Sequence, residues 1–133
     1  QIQDGKQNNT RTQIVGTPIS ANTAHTITEM LANGLETESS AALVPGYRIA
    51  GKTGTAQIPI SGGGYDQINV NTSFIGWGPV DDPRFVVYVW LEKPQSNRAA
   101  SVVAAPIFKQ VVEKLVVLMD VPPDAIRLQM IGR

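Results

Sequence analysis

The sequence predicts an α+β domain, a three-stranded antiparallel sheet flanked by helices. Three observations carry this. Apolar residues recur at helical spacing near both ends, in Ala24, Ile27 and Leu31 and again in Ala104, Phe108, Val111, Leu115 and Leu118. Between them lie extended segments rich in β-branched and aromatic residues. Proline and glycine clusters punctuate those segments, Val44-Pro-Gly46, Gly62-Gly-Gly64 and Pro79-Val-Asp-Asp-Pro83.

Residues 1–16 are polar and rich in Asn, Thr and Gln, with Asp4-Gly5 as a turn between short extended stretches. The first helix begins after Thr17 or Ser20, either of which can serve as N-cap, and Gly34 is placed to end it. Residues 36–42 read as a loop. A strand follows over residues 47–57 and is stopped by Pro59, after which the glycine run predicts a mobile loop of about a dozen residues. The second strand is expected over residues 71–78 and the third over 84–92. The third has a core, Phe85-Val-Val-Tyr-Val-Trp-Leu91, that is apolar on both faces, as in a central strand covered on both sides. The last helix runs over residues 100–119, with Lys109, Gln110, Glu113 and Lys114 on its wet face and Pro106 in its first turn or at a kink. Residues 126–133 form a tail without a pattern.

Composition narrows the function. A chain of 133 residues suits one domain, and 42% hydrophobic with 17% charged residues is globular composition. Eleven basic residues balance eleven acidic ones, and no basic stripe interleaves with aromatics, so no nucleic-acid partner is indicated. The lack of cysteine removes disulfides, thiolate metal sites and a Cys nucleophile. No His/Glu cluster accompanies Asp81-Asp82, which reads as a turn, and neither a metal nor a cofactor is expected. The longest apolar run, from Phe85 to Leu91, falls far short of the roughly 20 residues a bilayer span needs. The opening Gln1-Ile-Gln-Asp-Gly-Lys6 has no initiator Met or signal pattern, as expected of a piece of a longer protein.

Two motifs compete for Lys52. Gly46-Tyr-Arg-Ile-Ala-Gly-Lys-Thr53 matches the phosphate-binding formula G-x-x-x-x-G-K-[ST]. That motif needs a strand before it and a helix beginning at the lysine, whereas Pro45 precedes it here and Gly54 and Pro59 follow. The competing reading places Lys52-Thr53-Gly54 on a strand. There Lys52 would supply positive charge beside a reacting amide and attract a substrate carboxylate. Thr53 and Thr55 share one face of the strand, so their hydroxyls could hold that carboxylate together. Gly54 would let a neighbour pack closely, the backbone N–H of Thr55 would serve as one oxyanion donor, and an open strand edge would accept an extended peptide.

The surroundings decide between the two. Tyr47-Arg-Ile-Ala-Gly-Lys-Thr-Gly-Thr-Ala-Gln57 resembles the Lys-Thr-Gly strand of the class B penicillin-binding proteins. Thr72-Ser-Phe-Ile-Gly-Trp-Gly-Pro79 resembles their next strand, and Pro83-Arg-Phe-Val-Val-Tyr-Val89 their last. Ala104-Ala-Pro-Ile-Phe-Lys109 resembles the start of their C-terminal helix, and Val121-Pro-Pro-Asp124 a common ending. The likeness covers residues 17–125 in the family's order and spacing.

The resemblance implies a fragment of the β-lactamase/transpeptidase-like fold and, in the parent, a serine-type peptidoglycan D,D-transpeptidase at the outer face of the bacterial cell membrane. It implies catalytic roles for Lys52 and Thr55 and substrate binding by Thr53, Gly54, Thr55 and Gln57. The partners implied are the D-Ala-D-Ala stem peptide, β-lactams and the N-terminal half of the domain. A non-catalytic β-lactam-binding or sensing module of the same fold is the alternative.

One requirement of the family is unmet. None of Ser20, Ser39, Ser40, Ser61, Ser73, Ser96 and Ser101 has a lysine three residues on, so no nucleophile is expected in this chain. Ser20-Ala-Asn22 spells S-x-N but sits where a helix cap belongs, and the lone His25 reads as a surface residue. Trp77 and Trp90 read as packing residues, while Arg48 fits either an ion pair or a solvated strand position. Without a partner half, the strand over residues 85–91 would expose a flat apolar edge, and the chain is expected either to refold locally or to self-associate through that edge.

Overall fold

The computed structural model describes residues 2–3, 6–7, 13–38, 40–95 and 99–131. Strands β1 (Ile2–Gln3) and β2 (Lys6–Gln7) pair antiparallel, Ile2 opposite Gln7. The Asp4-Gly5 turn, Ser39 and Ser96 lie outside the described residues.

Helix α1 spans Ala21–Thr37. Of the two candidate caps the structure uses Ser20, whose Oγ accepts the Thr23 N–H at 3.1 Å. That contact also explains the S-x-N spelling as capping. The helix does not stop at Gly34. A glycine ends a helix by adopting positive φ, which Gly34 does not, and the chain stays helical for another three residues to Thr37.

Strands β3 (Ala50–Pro59), β4 (Tyr65–Gly78) and β5 (Phe85–Glu92) form an antiparallel sheet in the order β3-β4-β5. The first of these starts later than residue 47. Tyr47 instead makes an isolated bridge with Val44, and its hydroxyl donates to the Val121 carbonyl at 2.8 Å. The mobile loop expected after Pro59 shrinks to a tight turn. Gly62, Gly63 and Gly64 adopt φ of 97°, 96° and 87°, and Ile60 and Gly64 are joined by a backbone hydrogen bond of 3.2 Å. Strand β4 therefore begins at Tyr65. Its polar first half contains an irregularity at which the Asp66 carboxylate accepts the N–H groups of Ile68 and Asn69.

Among the described residues strand β5 is an edge strand of this sheet, as expected of it without a partner half. One face is covered, with Phe85 and Val89 buried, while Val86, Tyr88 and Trp90 on the other face are 69%, 61% and 51% exposed. Trp90 thus does not pack into a core.

Helix α2 (Ala100–Leu118) lies on the covered face and runs through Pro106. Its buried stripe is Ala104, Ala105, Phe108, Val112 and Val116, one step round from the expected set. Val111 and Leu118 are exposed instead. Phe108 meets Phe74 with ring centroids 4.7 Å apart, and both rings are fully buried. Glycine makes the room, since a Cβ at Gly51 would stand 2.8 Å from the Phe74 ring.

The opposite face carries a smaller cluster in which Ala32 and Leu31 of α1 pack against Ala50, Trp77 and Val80. Trp77 therefore does pack. Residues Asp124–Ile131, expected to be patternless, form helix α3. Its Arg127 is 7% exposed and pairs with Asp81 and Asp124, which ties α3 to the turn before β5.

Candidate active site

The Lys52-Thr53-Gly54 sequence lies on β3, and the outer edge of β3 is unpaired among the described residues. Register sets the faces. Thr53 stands opposite Phe74, Thr55 opposite Thr72 and Gln57 opposite Val70, so Thr53, Thr55 and Gln57 project to one side. Lys52, opposite Ile75, starts from the other side. Its ammonium nonetheless donates to Thr53 Oγ1 at 3.1 Å and to the Thr53 carbonyl at 3.4 Å. A cation and a hydroxyl are thus held side by side at an open strand edge, a pairing suited to a carboxylate.

Gly54 faces Ser73 on β4, where a Cβ would stand 2.6 Å from Ser73 Oγ. The close neighbour expected at this glycine is therefore the adjacent strand.

A cleft of about 380 Å³ opens along this edge. Met30, Leu31 and Gly34 of α1 and Gly51, Lys52 and Thr53 of β3 line it, together with Ser40 and Ser101. Of the expected site residues, Lys52 and Thr53 line the cleft. Thr55 and Gln57 continue along the strand beyond it and are exposed. Ser101 starts α2 and Ser40 ends the turn after α1, and neither has a lysine a helical turn on.

Arg48, left open by the sequence, is an ion-pair residue. Its Nη1 donates to Glu29 Oε2 at 2.8 Å, its Nε to Glu36 Oε1 at 2.9 Å and its Nη2 to Asn33 Oδ1 at 2.6 Å. The hydrogen bond to Glu29 leads the effects that hold its pKa above the ordinary arginine value, against a smaller opposing effect of burial. Its acceptors Glu29, Asn33 and Glu36 fall at i, i+4 and i+7 on one stripe of α1. Around Arg127, burial opposes the charged form, and the bonds to Asp81 and Asp124 outweigh it, so its pKa is also raised. Asp81 holds Arg127 rather than standing free in a turn, and His25 is exposed.

Comparison with known proteins agrees with this geometry. The model of the penicillin binding protein transpeptidase domain matches residues 1–113. The peptidoglycan D,D-transpeptidase FtsI of Buchnera aphidicola is 40% identical over 85 residues, covering 63% of this chain and 15% of that protein. The chain spans a small part of such relatives. Among solved structures, the transpeptidase domain of Burkholderia pseudomallei penicillin-binding protein 3 superimposes with a TM-score of 0.68 at 35% identity. It covers 77% of this chain and 32% of that one. Penicillin-binding protein 3 of Mycobacterium tuberculosis complexed with ampicillin gives 0.66 at 36% identity, over 79% and 26%. With the three-stranded sheet, the Lys-Thr-Gly strand at its edge and a family match over most of its length, this chain belongs to the penicillin-binding protein transpeptidase domain family.

Proposed function

We propose that the chain supplies the carboxylate-binding strand of a peptidoglycan D,D-transpeptidase, the enzyme class that cross-links cell wall. The observation that carries this is the Lys52 ammonium set against the Thr53 hydroxyl on an open strand edge beside a cleft. A D-Ala-D-Ala stem peptide or a β-lactam presents a carboxylate and an acyl carbon. Lys52, Thr53 and Thr55 would hold the first, and the Thr55 N–H would donate to the oxyanion formed at the second. Gly54 and Gln57 would line the path of a peptide added as a further strand along β3.

The attacking serine is supplied by residues beyond these 133, in the N-terminal half of the domain, which is the chain's first partner. In such a longer protein the domain would work at the outer face of the bacterial cell membrane. No helix among the described residues is long and apolar enough to cross one. The ampicillin complex of the mycobacterial relative supports β-lactams as ligands of this kind of domain.

Intact-mass measurement after incubation with a penicillin tests the division of labour. The expected outcome is no covalent adduct on this chain. An adduct would place a nucleophile within it and overturn the proposal.

A further inference from the structure

We propose that Arg48 is the positioning residue of the cleft, tying its helix wall to its strand wall and so setting where Lys52 stands against α1. The importance of that spacing rests on reading the cleft as a carboxylate-binding site. The spacing itself rests on geometry.

The helix wall also packs on the sheet through Leu31 and Ala32, and Trp77 of β4 adds a weaker polar contact to it. Trp77 Nε1 reaches Thr28 Oγ1 at 3.4 Å, long for an N–H···O bond. Arg48 makes three shorter bonds, to Glu29, Asn33 and Glu36, along two turns of α1. Met30 and Gly34, which line the cleft, each follow one of these acceptors directly, and Leu35, also in the lining, precedes the third. The fork therefore grips the helix beside the residues that shape the cleft.

Arg48 is also fixed from behind. Its backbone N–H donates to Asp124 Oδ2 at 2.7 Å, Asp124 pairs with Arg127 Nη2 at 3.0 Å, and the buried Arg127 holds Asp81. This chain of contacts anchors the backbone four residues before Lys52 to α3 and to the turn before β5. From that fixed point the side chain reaches across to α1.

The ion pairs are partly exposed, with Arg48, Glu29 and Glu36 side chains at 31%, 36% and 46%. Pairs of this kind add little to stability. The expected signature is thus a change in wall separation with little change in melting temperature. Lysine cannot replace the planar fork, because a single ammonium cannot meet three acceptors spread over two helical turns with the same geometry.

The chain has no cysteine, so Ala24→Cys on α1 and Ala56→Cys on β3, both exposed positions, would carry the only two spin labels. Pulsed EPR then reads the distance between the walls. With Arg48 present the distribution should be single and narrow. Arg48→Ala should lengthen and broaden it, and Arg48→Lys should fall between the two.

The double variant Glu29→Gln/Glu36→Gln is measured beside these. It removes both charges from the α1 side while leaving Arg48 in place, and it serves if Arg48→Ala does not fold. It too should broaden the distribution. An unchanged distance in the folded variants overturns the proposal. Distances that respond in a chain whose β3 binds no β-lactam would sink the functional reading and leave Arg48's role intact.

Discussion

The ring of Phe108 fills the space that a side chain at position 76 would need, since a Cβ on Gly76 would stand 2.6 Å from Phe108 Cζ. The helix meets the sheet there through that ring against bare backbone, and the contact fixes which stripe of α2 faces inward. Gly76→Ala should therefore destabilise the domain by about 1–3 kcal/mol through overpacking. Phe108→Ala should cost about 3–5 kcal/mol through the cavity it leaves. Urea denaturation of both variants checks this, and a neutral Gly76→Ala would show that α2 can shift freely.

Two other glycines of the sheet should rank in a definite order. A Cβ at Gly51 meets the Ile75 carbonyl oxygen at 2.8 Å and the Phe74 ring, neither of which can move away. At Gly54 the neighbour within 3 Å is Ser73 Oγ, the end of a side chain that can rotate. Gly51→Ala should lower the melting temperature more than Gly54→Ala, and adding Ser73→Ala should relieve the second variant. The opposite ranking would contradict the packing described.

Gly34 sits inside α1 without positive φ, and beyond its chain neighbours and the helix's own backbone no described heavy atom lies within 4 Å of where its Cβ would stand. Gly34→Ala should stabilise the chain by about 0.5–1 kcal/mol. Thermal denaturation followed by circular dichroism at 222 nm would register the gain as a higher midpoint. A loss would mean that the cleft wall needs the glycine.

Asp66 titrates low. The Asn69 side chain, then the backbone N–H groups of Asn69 and Ile68, hold its pKa at about 2 against the usual 3.8. A depressed carboxylate pKa contributes stability above the unfolded value and loses it as pH falls from 3.8 towards 2. The Asp66 carboxyl carbon should titrate by NMR with its midpoint near 2, and the irregular start of β4 should loosen in step. A midpoint near 3.8 would mean that the turn does not form in solution.

The exposed Val86, Tyr88 and Trp90 on β5 are expected to make this chain associate. Light scattering should show mass rising with concentration, and Val86→Lys should suppress the rise. A monomer at high concentration would contradict this.

The strands' existence and order were legible because glycine and proline separate them and β-branched residues fill them. What the sequence left open has local physical causes. Helix α2 carries apolar residues at 111, 112, 115, 116, 117 and 118, so periodicity could not choose a stripe; the fit of Phe108 against Gly76 chose it. The first half of β4 is polar because Asp66 bonds its own backbone there, and a polar stretch beside three glycines reads as loop. Helix α3 is short and lacks a repeating pattern, since it is held by the Arg127–Asp81 pair across 46 residues of sequence. Of the candidate site, the strand and the shared face of Thr53 and Thr55 were readable from alternation. The Arg48 fork was not, because its acceptors lie on another element and only folding brings them together.

The central claim is that β3 of this chain holds a carboxylate through Lys52, Thr53 and Thr55. Amide chemical shifts recorded during titration with a penicillin at millimolar concentration test it most directly. Shifts should concentrate over residues 52–57 and disappear in the Thr53→Val/Thr55→Val variant, with the rest of the spectrum unmoved. An unresponsive β3, or shifts that persist in that variant, would contradict the account.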